Sequence, residues 1–257
     1  MGFKNSIIWL YFSSPKNFYP FAGKLIPWFG WLSAILTVVG LYISFFEAPP
    51  VLSDQKEYYV IIFIHVPAAW MSMFIYIVMS VYAFVGLVWN IKMSEMMATA
   101  LAPTGAMFTF VALWTGALWG RPSWGTYWVW DARLTSELIL LFLYIGFMSL
   151  QSAIDDPRRA ARASGLLAVV GVINIPIIYF SVRWWNTLHQ GFSVQPAQSQ
   201  QIVDPAIFWG MIVLALAFWM YTIAVVLYRV RSIILERERQ TSWVQDILSG
   251  KTASGKA

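Results

Sequence analysis

Apolar residues are concentrated in six long stretches of this chain, and short polar segments separate them. Each stretch comes close to, or exceeds, the about 20 residues that an α-helix needs to cross the hydrocarbon core of a bilayer. The six stretches are Pro27–Phe46, Tyr58–Trp89, Met97–Leu118, Leu134–Ser152, Ser164–Val182 and Pro205–Tyr228. The pattern predicts an all-α polytopic membrane protein with six transmembrane helices.

The second and fifth stretches carry further expectations. As one straight helix, the second would be longer than the bilayer is thick, so it must tilt strongly or project beyond the membrane. The fifth contains Asn174 and Pro176. Pro176 has no backbone N–H, so a carbonyl of the preceding turn loses its partner and a kink is predicted. The Asn174 amide also needs a partner in lipid, which predicts a polar contact to another helix.

The whole chain, residues 1–257, is predicted to be one membrane domain. Residues 27–228 form the six-span bundle, and residues 229–257 form a cytoplasmic tail. Within the N-terminal segment, residues 1–26, the stretch 3–12 is aromatic and carries a single charge. This stretch is predicted to be an interfacial helix that lies along the membrane surface.

Composition excludes a soluble protein. Of the 257 residues, 59% are hydrophobic and only 11% are charged, against about 25% charged in an ordinary globular domain. The chain has no cysteine, which excludes disulfides and thiolate metal sites. It also lacks a phosphate-binding loop, a catalytic carboxylate pair and a nucleophile triad, so we expect no enzyme activity of its own.

Positive charges set the expected orientation. Most of the 17 Lys and Arg residues fall in segments on the side of the two termini. The opposite side holds only Lys56, Arg121, Arg133 and Arg183. By the positive-inside rule, both termini are predicted to lie in the cytoplasm of a bacterium, with the chain in the inner membrane. The basic residues lie in short flanks and not on one folded face, which argues against nucleic-acid binding.

The predicted topology places three segments outside the membrane, and their composition is unusual. They are Glu47–Glu57, Trp119–Asp131 and the polar stretch Arg183–Asp204. The loops on the cytoplasmic side are short by comparison. Function is therefore expected at the outer, periplasmic face.

The middle outer segment, residues 119–131, is rich in tryptophan. Gly120, Pro122 and Gly125 argue against a continuous helix there. Indoles on an irregular backbone form a broad and stiff apolar shelf, suited to a flat ligand. The alternative is an ordinary aromatic belt at the membrane surface, which would be scattered over many helix ends. The tryptophans of the segment are Trp119, Trp124, Trp128 and Trp130.

The chain has only two histidines, His65 and His189, and the topology places both at the outer face. A single histidine at such a position is more often a hydrogen-bonded residue near a helix end than a metal ligand. Two neutral imidazoles beside an aromatic shelf suit the axial positions of a flat macrocycle with a central metal, such as haem. Arg121, Arg133 and Arg183 lie on the same side and are candidate partners for its propionates. Contact with phospholipid headgroups is the alternative, above all for Arg183.

The tryptophan segment and the residues after it support recognition. The stretch 119–138, W-G-R-P-S-W-G-T-Y-W-V-W-D-A-R-L-T-S-E-L, resembles the tryptophan-rich "WWD" signature of the haem-handling membrane proteins of cytochrome c maturation. Within that group, six spans, this length and one histidine on each side of the signature resemble the CcmC family. The resemblance covers essentially the whole chain.

The resemblance implies a function that composition could not show. Proteins of this family bind haem b at the periplasmic face and load it onto the haem chaperone CcmE. They work with CcmA and CcmB, the subunits of an ATP-binding-cassette transporter, and with the small membrane protein CcmD. Any ATPase activity would then belong to a partner subunit.

The same resemblance implies roles for individual residues. His65 and His189 would be the axial iron ligands, and Asp131 would close the signature. Arg133 is the expected propionate partner, with Arg121 behind it. Asp131 has an equally good alternative as the N-cap of the fourth span. The shelf would consist of Trp119, Trp124, Trp128 and Trp130.

Three other functions remain open at this level. A haem transporter would need polar groups along a path through the bilayer, and few are evident. A haem-to-apocytochrome synthetase of the same superfamily would be expected to be larger or to carry additional histidines. A purely structural anchor for the ATPase would not need the tryptophan segment.

Overall fold

A computed structural model describes residues 13–48, 56–189 and 204–250 of the chain. A π-helical turn, Ile43–Glu47, extends the first long helix, and a 3-10 turn, Lys56–Ile61, precedes the second. The described residues contain no β-strand, which confirms the all-α class. The helices are α1 (Pro15–Tyr42), α2 (Ile62–Trp89), α3 (Lys92–Trp124), α4 (Ala132–Ala153), α5 (Pro157–Gly171), α6 (Asn174–Trp184), α7 (Pro205–Arg237) and α8 (Ser242–Leu248).

Six helical segments are long and apolar enough to cross a membrane, and α5 and α6 together form the fifth of them. The predicted six-span architecture is confirmed, and the chain is a multi-pass membrane protein. The six segments are Pro15–Glu47, Tyr58–Trp89, Lys92–Trp124, Ala132–Ala153, Pro157–Trp184 and Pro205–Arg237.

Several predicted segments lie outside the described residues. They include the interfacial helix at 3–12, most of the first outer segment, residues 190–203 of the third one and the last seven residues of the tail. The first helix begins at Pro15, well before the predicted start at Pro27. Its added turns are held by packing, since the Tyr19 ring lies edge-on to Trp243 of α8 with centroids 6.1 Å apart.

The prediction of irregular backbone throughout residues 119–131 is wrong for the first half of that segment. Helix α3 continues to Trp124 and is capped by Gly125, whose φ of 78° is left-handed. Pro122 lies in the last turn of α3, where it lacks the N–H that would donate to the Leu118 carbonyl, and the helix ends two residues later. Gly120 is buried, and a Cβ there would lie 3.0 Å from the Trp124 ring, so this glycine allows the indole to fold back on the helix.

The fifth span is broken where the sequence predicted a kink. α5 ends at Gly171, and α6 begins at Asn174. The Asn174 side chain donates from Nδ2 to the Ser136 carbonyl of α4 over 2.9 Å. The predicted polar contact between helices is therefore confirmed.

The helices run between two ends of the bundle, which we call the tryptophan end and the terminal end. The tryptophan end contains the C-terminus of α3 and the start of α4. The terminal end contains the start of α1 and the end of α7. There, Arg237 lies 3.7 Å from the Glu95 carboxylate and 3.5 Å from the Gln151 side chain, which links α7 to α3 and α4.

Candidate functional site

A cavity of about 290 Å³ opens at the tryptophan end, between α2, α3, α4 and α6. It contains both histidines of the chain and three tryptophans of the segment 119–131. One arginine and one glutamate are the charged residues of its wall. The side chains that give it its chemical character are His65, Trp70, Trp119, Ser123, Trp124, Trp128, Arg133, Glu137, Tyr179 and His189.

The two histidines face each other across this cavity. Their ring centroids are 6.2 Å apart, and the rings are inclined by 36°. An iron atom between two imidazoles is about 2 Å from each bound nitrogen, and each nitrogen is about 1 Å from the centroid of its ring. The two ring centroids are then about 6 Å apart. His65 and His189 are therefore separated as two axial ligands of one iron would be, although they are far apart in the chain.

His65 is oriented by the neighbouring helix α3. Its Nδ1 lies 3.0 Å from the Ala112 carbonyl oxygen and 3.1 Å from the Thr115 hydroxyl. Because a carbonyl only accepts hydrogen bonds, Nδ1 carries the proton, and Nε2 is left unprotonated, the form in which an imidazole nitrogen can bind a metal. Gly116 lets the ring lie directly on α3, since a Cβ there would be 2.9 Å from His65 Cε1.

Three of the four indoles predicted to form the shelf line the cavity. Trp119 stands edge-on to His65 with centroids 5.8 Å apart, and Trp124 lies 6.4 Å from His189. Trp128 also forms part of the wall. Trp130 packs edge-on against Trp128, but it is 77% exposed and lies outside the lining.

Asp131 is the N-cap of α4 and does not line the cavity. Its Oδ1 accepts a 2.8 Å hydrogen bond from the Leu134 backbone N–H, which confirms the capping alternative. Its Oδ2 accepts from the Thr187 hydroxyl, and the Thr187 hydroxyl oxygen accepts from the His189 backbone N–H at 3.0 Å. Asp131 thus connects the start of α4 to the segment that carries His189.

We expect Asp131→Ala to weaken both the fold and the placement of His189. Loss of the cap should lower stability by about 1 kcal/mol, and loss of the Thr187 bond should free the segment after α6. Asp131→Asn is the matched control, because asparagine caps helices as well as aspartate does. Thermal unfolding in detergent measures the first effect. Equal unfolding temperatures for the two variants would contradict the capping role.

The arginines divide between wall and surface. Arg133 lines the cavity, and its Nη1 donates to the Ile178 carbonyl of α6 over 2.7 Å. Arg121 instead donates to the Gly125 carbonyl and lies 5.7 Å from the Tyr127 ring centre, outside the lining. Arg183 is exposed at the end of α6. Arg133 as the propionate partner stays a prediction.

Glu137 is part of the site, although the sequence analysis gave it no role. It is only 6% exposed and lines the cavity. Its Oε1 accepts a 2.7 Å hydrogen bond from the Ser72 hydroxyl of α2. A carboxyl group inside a membrane span is unfavourable, so the place of Glu137 in the fourth apolar stretch was a signal by which the sequence could have identified it.

The chain is similar to known proteins of one family over most of its length. The model of the family described as heme exporter protein C, CcmC, matches residues 8–245. Heme exporter protein C of Escherichia coli K12 is 47% identical over 234 residues, 91% of this chain and 94% of that protein. The protein of the same name from Bradyrhizobium diazoefficiens is 47% identical over 225 residues, 88% of this chain and 84% of the relative.

A third relative comes from a plant mitochondrion. It is named putative cytochrome c biosynthesis ccmC-like mitochondrial protein and comes from Marchantia polymorpha. It is 47% identical over 161 residues, 62% of this chain and 67% of the relative. The similarity therefore extends beyond bacteria.

Proposed function

Because the chain belongs to the CcmC family, heme exporter protein C, we propose that it binds haem b in this cavity and delivers it to the haem chaperone CcmE. Handling of haem in cytochrome c maturation follows from the family. The observation that carries the proposal for this chain is the His65–His189 pair, whose ring separation of 6.2 Å suits one iron between two imidazoles.

The wall of the cavity fits haem as cargo. A porphyrin is flat and apolar over both faces, and the indoles of Trp119, Trp124 and Trp128 provide flat apolar surface around the two histidines. Neutral imidazole nitrogens are the usual axial ligands of haem iron. The fold directs Nε2 of His65 away from α3, because Nδ1 is bound to Ala112.

The two histidines are held differently, which suggests the order of release. His65 belongs to α2 and is fixed against α3 by its hydrogen bonds and by Gly116. His189 lies beyond the end of α6 in a non-helical segment, attached through Thr187 to Asp131. The segment of His189 can move with fewer broken contacts than a packed helix. Haem release to CcmE would therefore begin with the His189 bond.

The interior of the bundle favours delivery over transport through this chain. Beyond Glu137, the core is filled by Tyr144 and Tyr76, both fully buried. A Cβ added to Gly105 would lie 2.2 Å from the Tyr144 hydroxyl, so no open path passes between α3 and α4 at that level.

The proposal includes an orientation and partners. The tryptophan end would face the periplasm, with both termini in the cytoplasm of a bacterial cell and the chain in the inner membrane. The distribution of Lys and Arg supports this orientation. CcmA, CcmB and CcmD would be the other subunits, and ATP hydrolysis would belong to CcmA. We propose no catalytic role for this chain itself.

Transfer to CcmE can be measured in membranes that contain the chain together with CcmA, CcmB, CcmD and CcmE. Haem bound covalently to CcmE is detected by peroxidase staining of denaturing gels. We expect staining with the intact chain and loss of it, by about tenfold or more, with His65→Ala. Trp28→Phe is the control, since Trp28 lies on α1 with its side chain 77% exposed. Equal staining without the chain would overturn the proposed delivery.

A further inference from the structure

Helix α5 packs closely along α2. The Ser80 hydroxyl of α2 donates to the Ala168 carbonyl over 2.9 Å. Nearer the break in the fifth span, a Cβ added at Gly171 would collide with the Tyr76 hydroxyl. α5 therefore covers its side of α2 as far as the level of Tyr76.

Helix α6 is bonded to a different neighbour. The Asn174 side chain binds the Ser136 carbonyl of α4, and the Arg133 side chain of α4 binds the Ile178 carbonyl. α5 contacts both α2 and α4, whereas the packing of α6, within the described part of the chain, is mainly with α4. The fifth span thus leaves α2 at its break.

One face of α2 is consequently covered over only part of its length. Residues three, seven or eleven positions apart lie on one side of a helix, and Val66, Ala69, Ser80 and Leu87 have this spacing. α5 covers Ser80 and Leu87. Val66 and Ala69, nearer the tryptophan end, line the cavity instead. The cavity therefore extends outward between α2 and α6, on the side along which α5 would have continued.

The edges of this gap reach the lipid-facing surface of the bundle. On α2, Trp70 lines the cavity and lies about 140° around the helix from His65, because five residues turn a helix by that angle. On α6, the lining residues are Tyr179 and Val182, and Tyr179 is 46% exposed. Tyr179 is about 8 Å from the end of α6, so the gap lies in the leaflet at the tryptophan end.

The chemistry of the gap suits an apolar ligand that is dissolved in the bilayer. A porphyrin ring is apolar over both faces, so lipid is a more favourable environment for it than water. A ring that enters here also leaves the bond between Thr187 and Asp131 intact. The four residues at the edges of the gap carry no charge: Val66, Trp70, Tyr179 and Val182.

We propose that haem enters the cavity sideways from the bilayer, through a lateral opening between Val66 and Trp70 of α2 and Tyr179 and Val182 of α6. This inference rests on the proposed haem-binding function and adds the source of the ligand, which is the leaflet at the tryptophan end. The tryptophan end of the cavity is then left to the haem chaperone, so uptake and release use different sides of the site.

The rate of haem loading tests the lateral opening. The full chain is reconstituted in phosphatidylcholine vesicles, haem is added and partitions into the bilayer, and growth of the six-coordinate spectrum gives the rate. We expect Val182→Trp to slow loading by about tenfold or more, because a large side chain in the opening raises the barrier to entry. The final spectrum should still be six-coordinate, since both histidines remain. Val170→Trp is the matched control, because Val170 lies on α5 and is 57% exposed.

A reversible bridge across the opening provides a second test on one sample. The chain has no cysteine, so Val66→Cys combined with Val182→Cys introduces the only two thiols. A bifunctional thiol reagent with a reducible linker then ties α2 to α6. Haem supplied after bridging should fail to load, haem bound before bridging should be retained, and reduction of the linker should restore loading.

The inference is overturned if Val182→Trp loads haem as fast as Val170→Trp and the bridged chain loads as fast as the reduced one. Haem would then enter at the tryptophan end, and a gap permanently filled by a lipid acyl chain gives this same result. The wild type still acquires its six-coordinate spectrum in that case, so the proposed function stands. A wild-type chain that binds no haem in vesicles or in detergent refutes both.

Discussion

Replacement of His65 or His189 by alanine is expected to abolish the six-coordinate absorption spectrum of haem bound to the detergent-purified chain. In the proposed site each histidine would supply one axial nitrogen, so each variant should retain haem in a five-coordinate form or lose it. The amount of haem that copurifies should fall by about tenfold or more. The measurement is the visible spectrum together with the ratio of haem to protein.

Chemical rescue by imidazole provides a second test of the axial role of His65. In His65→Gly, a space remains on α3 beside Gly116 and Trp119, and added imidazole should restore the six-coordinate spectrum. Trp130→Phe is the control, because Trp130 is 77% exposed and lies outside the cavity. If both alanine variants kept the wild-type spectrum, the axial assignment would be wrong, and the tryptophan segment would be better explained as a docking surface for a partner.

A single added methyl group at Gly116 is expected to reduce haem binding strongly, although both histidines remain. A Cβ at this position would lie 2.9 Å from His65 Cε1, so the ring must leave α3. It then loses the 3.0 Å bond from Nδ1 to Ala112. Bonds that orient a metal-binding histidine contribute about 10- to 100-fold to metal affinity. We expect a decrease of that size for Gly116→Ala and a complete loss for Gly116→Val.

Gly30 provides a matched control for this experiment. It lies in α1 and has no atom within 4 Å of an added Cβ, so Gly30→Ala should leave haem binding unchanged. Alanine favours helix more than glycine does, so Gly30→Ala should fold at least as well as the wild type, and thermal unfolding in detergent checks that Gly116→Ala is also folded. Haem binding by Gly116→Ala equal to that of Gly30→Ala would show that the contact between His65 and α3 does not orient the ligand.

The architecture was predictable because it depends on local properties of the chain. A bilayer requires about 20 apolar residues for a span, and that requirement can be read from the sequence without knowledge of neighbouring helices. The same is true of the break at Asn174, where a polar side chain and a proline occur within an apolar stretch. Helix ends were less predictable. α3 continues to Trp124 because the Trp124 ring packs against the Gly120 backbone, a contact that no residue pattern shows.

The candidate site was predictable in part. The tryptophan segment and the two histidines stand out by residue type alone. The alternative role of Asp131, as a helix cap, was predicted correctly, because a cap depends only on the backbone of the residues that follow it. Trp130 and Arg121 were predicted to contact the ligand, but their side chains lie outside the lining of the cavity. The sequence does not show on which side of an irregular segment a side chain lies.

The sequence by itself determined that this chain is a six-span membrane protein with an aromatic segment and two histidines at one end. Apolar length, residue type and the resemblance to the CcmC family were sufficient for that. Only the tertiary structure decided that His65 and His189 lie 6.2 Å apart, that Gly116 and Ala112 orient His65, and that Glu137 lies in the same cavity. These relations join residues of different helices, and helix packing, not local sequence, determines which side chains meet.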